Sequence, residues 1–310
     1  MATIDARNLE QEPAGRISRR SIMAGGAALA ASLALQSVAS AAPVHSTDSS
    51  SKSQRDVQGV GSMDDLSIAI PFYEGAEEQD VVGPLEMFFW MSLFEPLPPN
   101  RRPEGTPDFS VDFITDDEFH KYFFPQVPPK AKVFTVGPAI KPYRMSSGMQ
   151  WVPDFTYDNA PPANMIVAPG GRGANDIAAR RKEGTIDYIQ RVANAPENKY
   201  IMSVCTGAFL LGAAGLLDGR HCQVSSHNYR RFEQEVPKAK LLKEPSLNFV
   251  QDGKLFTSNG PCSGLATSLR VVEVHCGTGY KNNLRELIEY KVAPVRGALV
   301  EGDRITTITV

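Results

Sequence analysis

Beyond residue 64 the chain alternates short, unbroken apolar runs with longer stretches of small and apolar residues. Leu66–Tyr73, Phe109–Ile114, Val133–Val136, Asn164–Ala168, Tyr200–Val204, Gln223–Ser226 and Leu255–Ser258 predict strands. Residues 80–94 (DVVGPLEMFFWMSLF), 174–194 with a break near Gly184, 206–217 (TGAFLLGAAGLL) stopped by Gly219, and 263–275 predict helices. Residues 95–108, rich in proline, and 117–132, aromatic and Pro-rich, read as loops. Strands that are apolar throughout, rather than at every second position, are those buried on both faces, as in a parallel sheet covered by helices. The pattern predicts one α/β domain over 65–310, a doubly wound, mostly parallel sheet with helices on both faces.

Composition narrows the class without changing that picture. The chain has 310 residues, 42% hydrophobic and 22% charged, with a net charge of −3. This is ordinary for a globular protein and gives no general electrostatic reason to bind nucleic acid. Four cysteines are too few for a disulfide scaffold. No apolar run has the length and hydrophobicity of a stable membrane anchor.

The first 64 residues read as an address and a tether. Arg19 and Arg20 precede an Ala-rich apolar stretch from Ala24 to about Leu35, and Ala39-Ser40-Ala41 is a small-x-small cleavage signal. Ser18-Arg19-Arg20-Ser21-Ile22-Met23 resembles a twin-arginine export motif, so residues 1–41 are expected to be a signal peptide and the mature protein periplasmic or secreted. Cleavage would remove four basic and three acidic residues, taking the net charge from −3 to −4. Residues 42–64, rich in Ser, Asp, Gln and Gly, have too few apolar groups to offset their ordering entropy and are expected to be flexible.

Candidate chemistry lies at strand ends. Ser203-Val204-Cys205-Thr206-Gly207 stands between a strand and a helix of small residues, the form of a nucleophile elbow. A thiol there faces a helix N-terminus, which favours the thiolate. The competing reading is a buried structural cysteine. Pro169-Gly170-Gly171-Arg172-Gly173 follows another strand, and Gly170 and Gly171 are candidates for oxyanion or substrate binding through free backbone N–H groups. Asp80, after the first strand, is either a general acid/base or a helix N-cap. Glu86 reads as solvent-facing. His227 is a candidate to orient or deprotonate Cys205. In a parallel sheet all of these strand ends share the edge where ligands bind.

Taken together, SVCTGAFLLGAAGLLDGR, APGGRG, QDVVGPLE, VPDFTYDNAPP and FTSNGPCSGLATSLRVVE resemble the ThiJ/PfpI superfamily, over roughly residues 66–276. The resemblance implies a flavodoxin-like, class I glutamine amidotransferase-like fold. It is nearest the isonitrile hydratase branch and the amidotransferase-like domain of AraC-type regulators. Carried over from the hydratases, it implies catalysis by Cys205, Asp80 and Thr206, with oxyanion donors from backbone near Gly171 and Thr206. The peptidase-like branch has His after the cysteine where this chain has Thr206, which disfavours proteolysis. The roughly 35 residues after His275 are too few for a regulator's helix-turn-helix domain, so no nucleic-acid partner is expected. Relatives imply a homodimer.

The expected function is therefore cysteine-dependent hydration of a small electrophile, an isonitrile, to an N-substituted formamide. The alternatives are glyoxalase-like aldehyde detoxification and a non-catalytic thiol-based redox sensor. Cys222, Cys262 and Cys276 are open to disulfide pairing in an oxidising compartment. No Cys/His spacing suggests a metal site and no dinucleotide or P-loop fingerprint occurs, so no cofactor is expected.

Overall fold

The computed structural model describes residues 57–61, 65–93, 132–290 and 295–309. The expected signal peptide, the strand at 109–114, the loop at 95–108 and all of the loop at 117–132 but Lys132, which begins a strand, lie outside the described residues. In chain order the elements are β1 (Ser67–Pro71), α1 (Glu78–Leu93), β2 (Lys132–Gly137), β3 (Tyr143–Arg144), β4 (Gln150–Trp151), β5 (Phe155–Thr156) and β6 (Met165–Ala168). A 310 turn (Arg172–Asn175) leads into α2 (Ile177–Lys182), α3 (Thr185–Ala193), β7 (Tyr200–Ser203) and α4 (Gly207–Ala213). There follow β8 (His221–Cys222), a 310 turn (Ser226–Asn228), α5 (Tyr229–Glu235), β9 (Lys240–Leu241), β10 (Phe249–Asp252) and β11 (Leu255–Ser258). The chain continues through α6 (Pro261–Cys276), α7 (Thr278–Leu287), β12 (Arg296–Glu301) and β13 (Arg304–Thr309).

Among the described residues nine strands form one sheet in the order β13-β12-β10-β11-β7-β6-β1-β2-β5. Only β10–β11 and β12–β13 pair antiparallel, and the other neighbours are parallel. The parallel core β2-β1-β6-β7-β11 follows the flavodoxin-like order, in which the switch point falls between the first and third strands. Here that is the seam between β1 and β6. The unbroken apolar runs have the expected cause: Ile68, Ala69, Ile70, Met165, Ile166 and Val167 are fully buried. The helices form two groups, α1 with α6 and α7, and α2 with α3 and α4.

Three expectations are corrected. The helix expected over 206–217 ends at Ala213, because Gly215, just past the Ala214 C-cap, turns left-handed at φ +73. The strand expected at 223–226 does not form. Its start shifts back to His221–Cys222, and the Gln223 N–H is taken by the Thr257 hydroxyl at 2.8 Å before the chain enters the 310 turn. Part of the expected tether is docked: Val57 N–H donates to Thr278 Oγ1 (2.8 Å), Thr278 N–H to the Val57 carbonyl (3.0 Å), and the N–H groups of Val60 and Gly61 to the His275 carbonyl (both 2.9 Å). Residues 42–56 and 62–64 lie outside the described residues.

All four cysteines are free thiols. Cys262 and Cys276 sit fourteen residues apart on the single helix α6, about 21 Å along its axis at 1.5 Å per residue, so they cannot pair with each other. Cys222 is buried in β8. Among the described residues no helix is long and apolar enough to cross a membrane, and no group of three or more His, Cys, Asp and Glu is placed to hold a metal ion.

The far end of α6 is tied down by buried charge. Glu273, 1% exposed, accepts from Arg270 Nη1 (2.6 Å), Lys281 Nζ (2.9 Å) and the Thr278 hydroxyl (3.1 Å), while Arg270 Nε reaches Gln251. Burial pushes the Glu273 carboxyl up, but hydrogen bonds from Lys281 and Arg270 outweigh it and hold it below the ordinary range. Glu273→Ala strands two buried cations and is expected to cost about 3–5 kcal/mol in urea unfolding at pH 7. A depressed carboxyl stabilises above its unfolded pKa and loses that effect as pH falls through the folded value. The gap between wild type and variant should therefore close below the ordinary glutamate range.

Candidate active site

Strand β7 delivers Cys205 to the carboxyl edge of the sheet. The backbone there turns sharply: Cys205 has φ +55, a left-handed conformation that costs a non-glycine residue about 1–2 kcal/mol. Neighbouring strand ends hold it. Cys205 N–H donates to the Ser258 carbonyl at the end of β11 (3.1 Å), and Val204 N–H to the Ala168 carbonyl at the end of β6 (3.0 Å). Gly207 must lack a side chain, since a Cβ would lie 2.0 Å from the Ala168 carbonyl oxygen. The elbow read from the sequence is thus a strained turn over a close strand–helix approach. Cys205 itself is half-buried.

Asp80 sits in the first turn of α1 and is fully buried. It is not an N-cap. Its Oδ2 accepts the Gly170 N–H at 2.8 Å, and its Oδ1 has no hydrogen-bond partner. Thr206 makes the matching contact one residue on: its Oγ1 accepts the Gly171 N–H (2.9 Å) and lies 3.1 Å from the Gly171 carbonyl. A methyl group on Gly170 would fall 2.6 Å from both Thr206 N and Oγ1 and 2.7 Å from Asp80 Oδ2, so these atoms crowd a single point. The ends of β1, β6 and β7 meet there, at the switch point.

The glycines therefore act differently from expectation. The Gly170 and Gly171 N–H groups are occupied, by Asp80 and Thr206, and are not free oxyanion donors. What the PGGRG turn needs is the missing Cβ. Gly171 has φ +106, and a Cβ on it would lie 2.4 Å from Glu77 N; one on Gly173 would lie 1.9 Å from the Glu74 carbonyl oxygen. The turn packs backbone to backbone against residues 74–77, with Glu77 N–H donating to the Gly170 carbonyl (3.0 Å) and Gly173 N–H to that of Gly75 (2.8 Å).

His227 is exposed in the 310 turn. The residue of that segment that favours the Cys205 thiolate is Ser225, expected within a strand and instead at the start of the 310 turn. Glu86 is exposed, as expected. A second group not anticipated is Tyr73, buried at the end of β1, whose hydroxyl donates to the Pro169 carbonyl at 2.5 Å. Its only sequence signal was its place at a strand end.

Burial sets the electrostatics. It pushes the Asp80 carboxyl up to about 7, against the Gly170 N–H, which favours the carboxylate, and with help from Glu77. Burial and then the Asp80 charge push the Cys205 thiol up to about 12, outweighing hydrogen bonds from Thr206 N–H, Ser225 and the Thr206 hydroxyl. Desolvation beside a carboxylate therefore works against the helix N-terminus at Cys205 and disfavours the thiolate that the sequence leads one to expect.

A flavodoxin-like sheet with a strained cysteine elbow at its switch point, faced by a buried carboxyl, defines a class of α/β proteins. The chain belongs to the DJ-1/PfpI family, whose pattern residues 126–274 match. It is 30% identical over 166 residues to the isonitrile hydratase of Pseudomonas putida, covering 54% of this chain and 69% of that protein. It is 27% identical over 146 residues to the HTH-type transcriptional regulator GbdR of Pseudomonas aeruginosa, covering 47% of this chain and 38% of the regulator. In structure it resembles a ThiJ/PfpI family protein from Pseudomonas syringae, with a TM-score of 0.54, 22% identity, and coverage of 82% of this chain and 84% of that one.

Replacing Asp80 should expose the charge coupling. In Asp80→Asn the carboxylate that disfavours the Cys205 thiolate is gone, and the Cys205 titration, read from thiolate absorbance at about 240 nm against the Cys205→Ala variant, is expected to move to lower pH. An unmoved or raised titration would contradict the coupling.

Proposed function

We propose that the protein hydrates a small electrophile of the isonitrile class to an N-substituted formamide, with Cys205 as nucleophile and Asp80 as proton carrier. One observation carries the reading: a fully buried carboxyl, 125 positions from the cysteine in sequence, acts on its thiol while keeping one oxygen without a partner. An unpartnered buried oxygen is costly in a resting protein and is what a proton acceptor at a reacting centre requires. The likeness to an isonitrile hydratase supplies the substrate class.

The chemistry follows from a neutral thiol. The Cys205 sulfur bonds the terminal carbon of R–N≡C as its proton passes to ionised Asp80, which returns it to that carbon. The product is an S-bound thioimidate, R–N=CH–S. Water adds to the same carbon, nitrogen takes a proton, and the C–S bond breaks. This releases R–NH–CHO and regenerates the thiol and carboxylate. The Thr206 N–H, directed at the sulfur, stabilises it as it gains and loses charge. The Thr206 side chain holds the Gly171 peptide in place.

Turnover of cyclohexyl isonitrile by the purified protein, read as formamide release, tests this. Cys205→Ala and Asp80→Asn should each lose at least about 100-fold, the usual scale for a nucleophile or a positioned acid–base group. Since Asp80 must be ionised to accept the proton, kcat/KM should rise with pH through about 7. Equal rates in wild type and Cys205→Ala reject the proposal. Turnover of aldehydes but not isonitriles selects the glyoxalase-like alternative. A redox sensor is disfavoured by a thiol held neutral, since oxidation proceeds through the thiolate.

We also propose that residues 1–41 direct export. Replacing Arg19 and Arg20 together by Lys is expected to keep the protein out of the periplasmic fraction; unchanged fractionation argues against a twin-arginine signal.

A further inference from the structure

Asp80 is held by a single peptide group. The Gly170 N–H that it accepts belongs to the same amide plane as the Pro169 carbonyl, and that carbonyl accepts the Tyr73 hydroxyl at 2.5 Å. The Tyr73 oxygen also lies 3.3 Å from the Gly170 carbonyl. Tyr73 is fixed in turn: it is fully buried, and the Arg180 guanidinium, itself 3% exposed, lies 4.7 Å from its ring centroid. Hydroxyl, peptide and carboxylate thus form one chain of hydrogen bonds, donor to acceptor throughout.

We propose that Tyr73 is a positioning residue which, through the Pro169–Gly170 peptide, holds the Asp80 carboxyl and sets how tightly it keeps its proton. A donor on an amide oxygen draws electron density from the nitrogen and makes the N–H a stronger donor, and such chains strengthen cooperatively in a low-dielectric interior. The N–H of Gly170 meets the carboxylate, so Tyr73 favours the ionised form without touching it. The inference rests on the reading of Asp80 as proton carrier, but it concerns a property of the resting protein.

The other charges around Asp80 do not substitute for this path. Glu77, from its own turn, and Cys205, from the elbow, are a carboxylate and a neutral thiol and offer no stabilising charge. Arg180 of α2 is engaged elsewhere, over the Tyr73 ring and in an ion pair with Glu183 at 3.2 Å. α6 packs along α1 but carries Arg270, Glu273 and His275 toward the opposite edge of the sheet, where they pair with Gln251, Lys281 and Asp65. Its first turn brings Cys262, which is exposed.

The test is the titration of Asp80 in the full chain, read from its 13C-labelled carboxyl resonance and assigned by its loss in Asp80→Asn. In Tyr73→Phe the midpoint should move up by about 0.3–0.7 of a pH unit, the scale expected when cooperative strengthening of one charge-assisted bond is lost. The acid limb of kcat/KM should move with it. Should Tyr73→Phe fail to fold, 3-fluorotyrosine incorporated at position 73 keeps the shape and is a stronger donor, so the midpoint should move down. An unmoved midpoint in the variants that fold overturns the proposal, even if wild type turns over isonitriles. A moved midpoint without isonitrile turnover leaves it standing and rejects the functional reading instead.

Discussion

Two consecutive backbone amides hold the site together. The Gly170 N–H binds Asp80 of the helix that follows β1, and the Gly171 N–H binds Thr206 of the turn that follows β7. Both belong to the turn that leaves β6, the strand between those two in the sheet. Side chains distant in sequence are thereby placed to within the precision of a peptide plane, with no side-chain entropy in the donor. The turn can serve both only because it carries no Cβ: any substituent on Gly170 would occupy the point where the Thr206 and Asp80 atoms converge.

The same arrangement fixes what the cysteine is at rest. Desolvation disfavours every charged form, and the nearest ionisable partner of the thiol is negative or neutral, never positive. A Cys–His pair stores its proton on the base and waits as an ion pair. Here burial and the Asp80 charge favour keeping the proton on sulfur, and burial lifts the nearby carboxyl to about 7. Under the proposed hydration, such a carboxyl can take the thiol proton and return it to the substrate carbon one step later.

Elements shaped by local forces are legible in the sequence, and those shaped by distant contacts are not. Strands β1, β6, β7 and β11 were legible because burial on both faces leaves an unbroken apolar run, and the elbow because small residues must flank a cysteine raised on a tight turn. Asp80 was legible as a choice between two roles, and its place inside the first turn of α1 with its contact to Gly170 removes the N-cap. Strand β13 was not legible, since Arg304–Thr309 alternates exposed and half-exposed side chains and has little apolar signal. Ser225 and His227 were interchanged in importance because the short polar run at 223–226 resembles a strand, whereas a single hydroxyl, that of Thr257, captures its first amide and bends it away.

The glycines carry the sharper lesson. A Gly-rich turn after a strand suggests backbone donors exposed to a ligand, and that inference treats glycine as a way of freeing N–H groups. In this chain the N–H groups are already taken, and glycine instead lets two loops approach to backbone contact, with the Gly173 N–H on the Gly75 carbonyl and the Glu77 N–H on that of Gly170. The glycine turn therefore has no free N–H at Gly170 or Gly171 to offer a bound molecule, and its two amides instead hold Asp80 and Thr206. The backbone group that lowers the Cys205 thiol pKa is the Thr206 N–H on the elbow side, so positioning of the carboxyl and stabilisation of the sulfur fall to different turns.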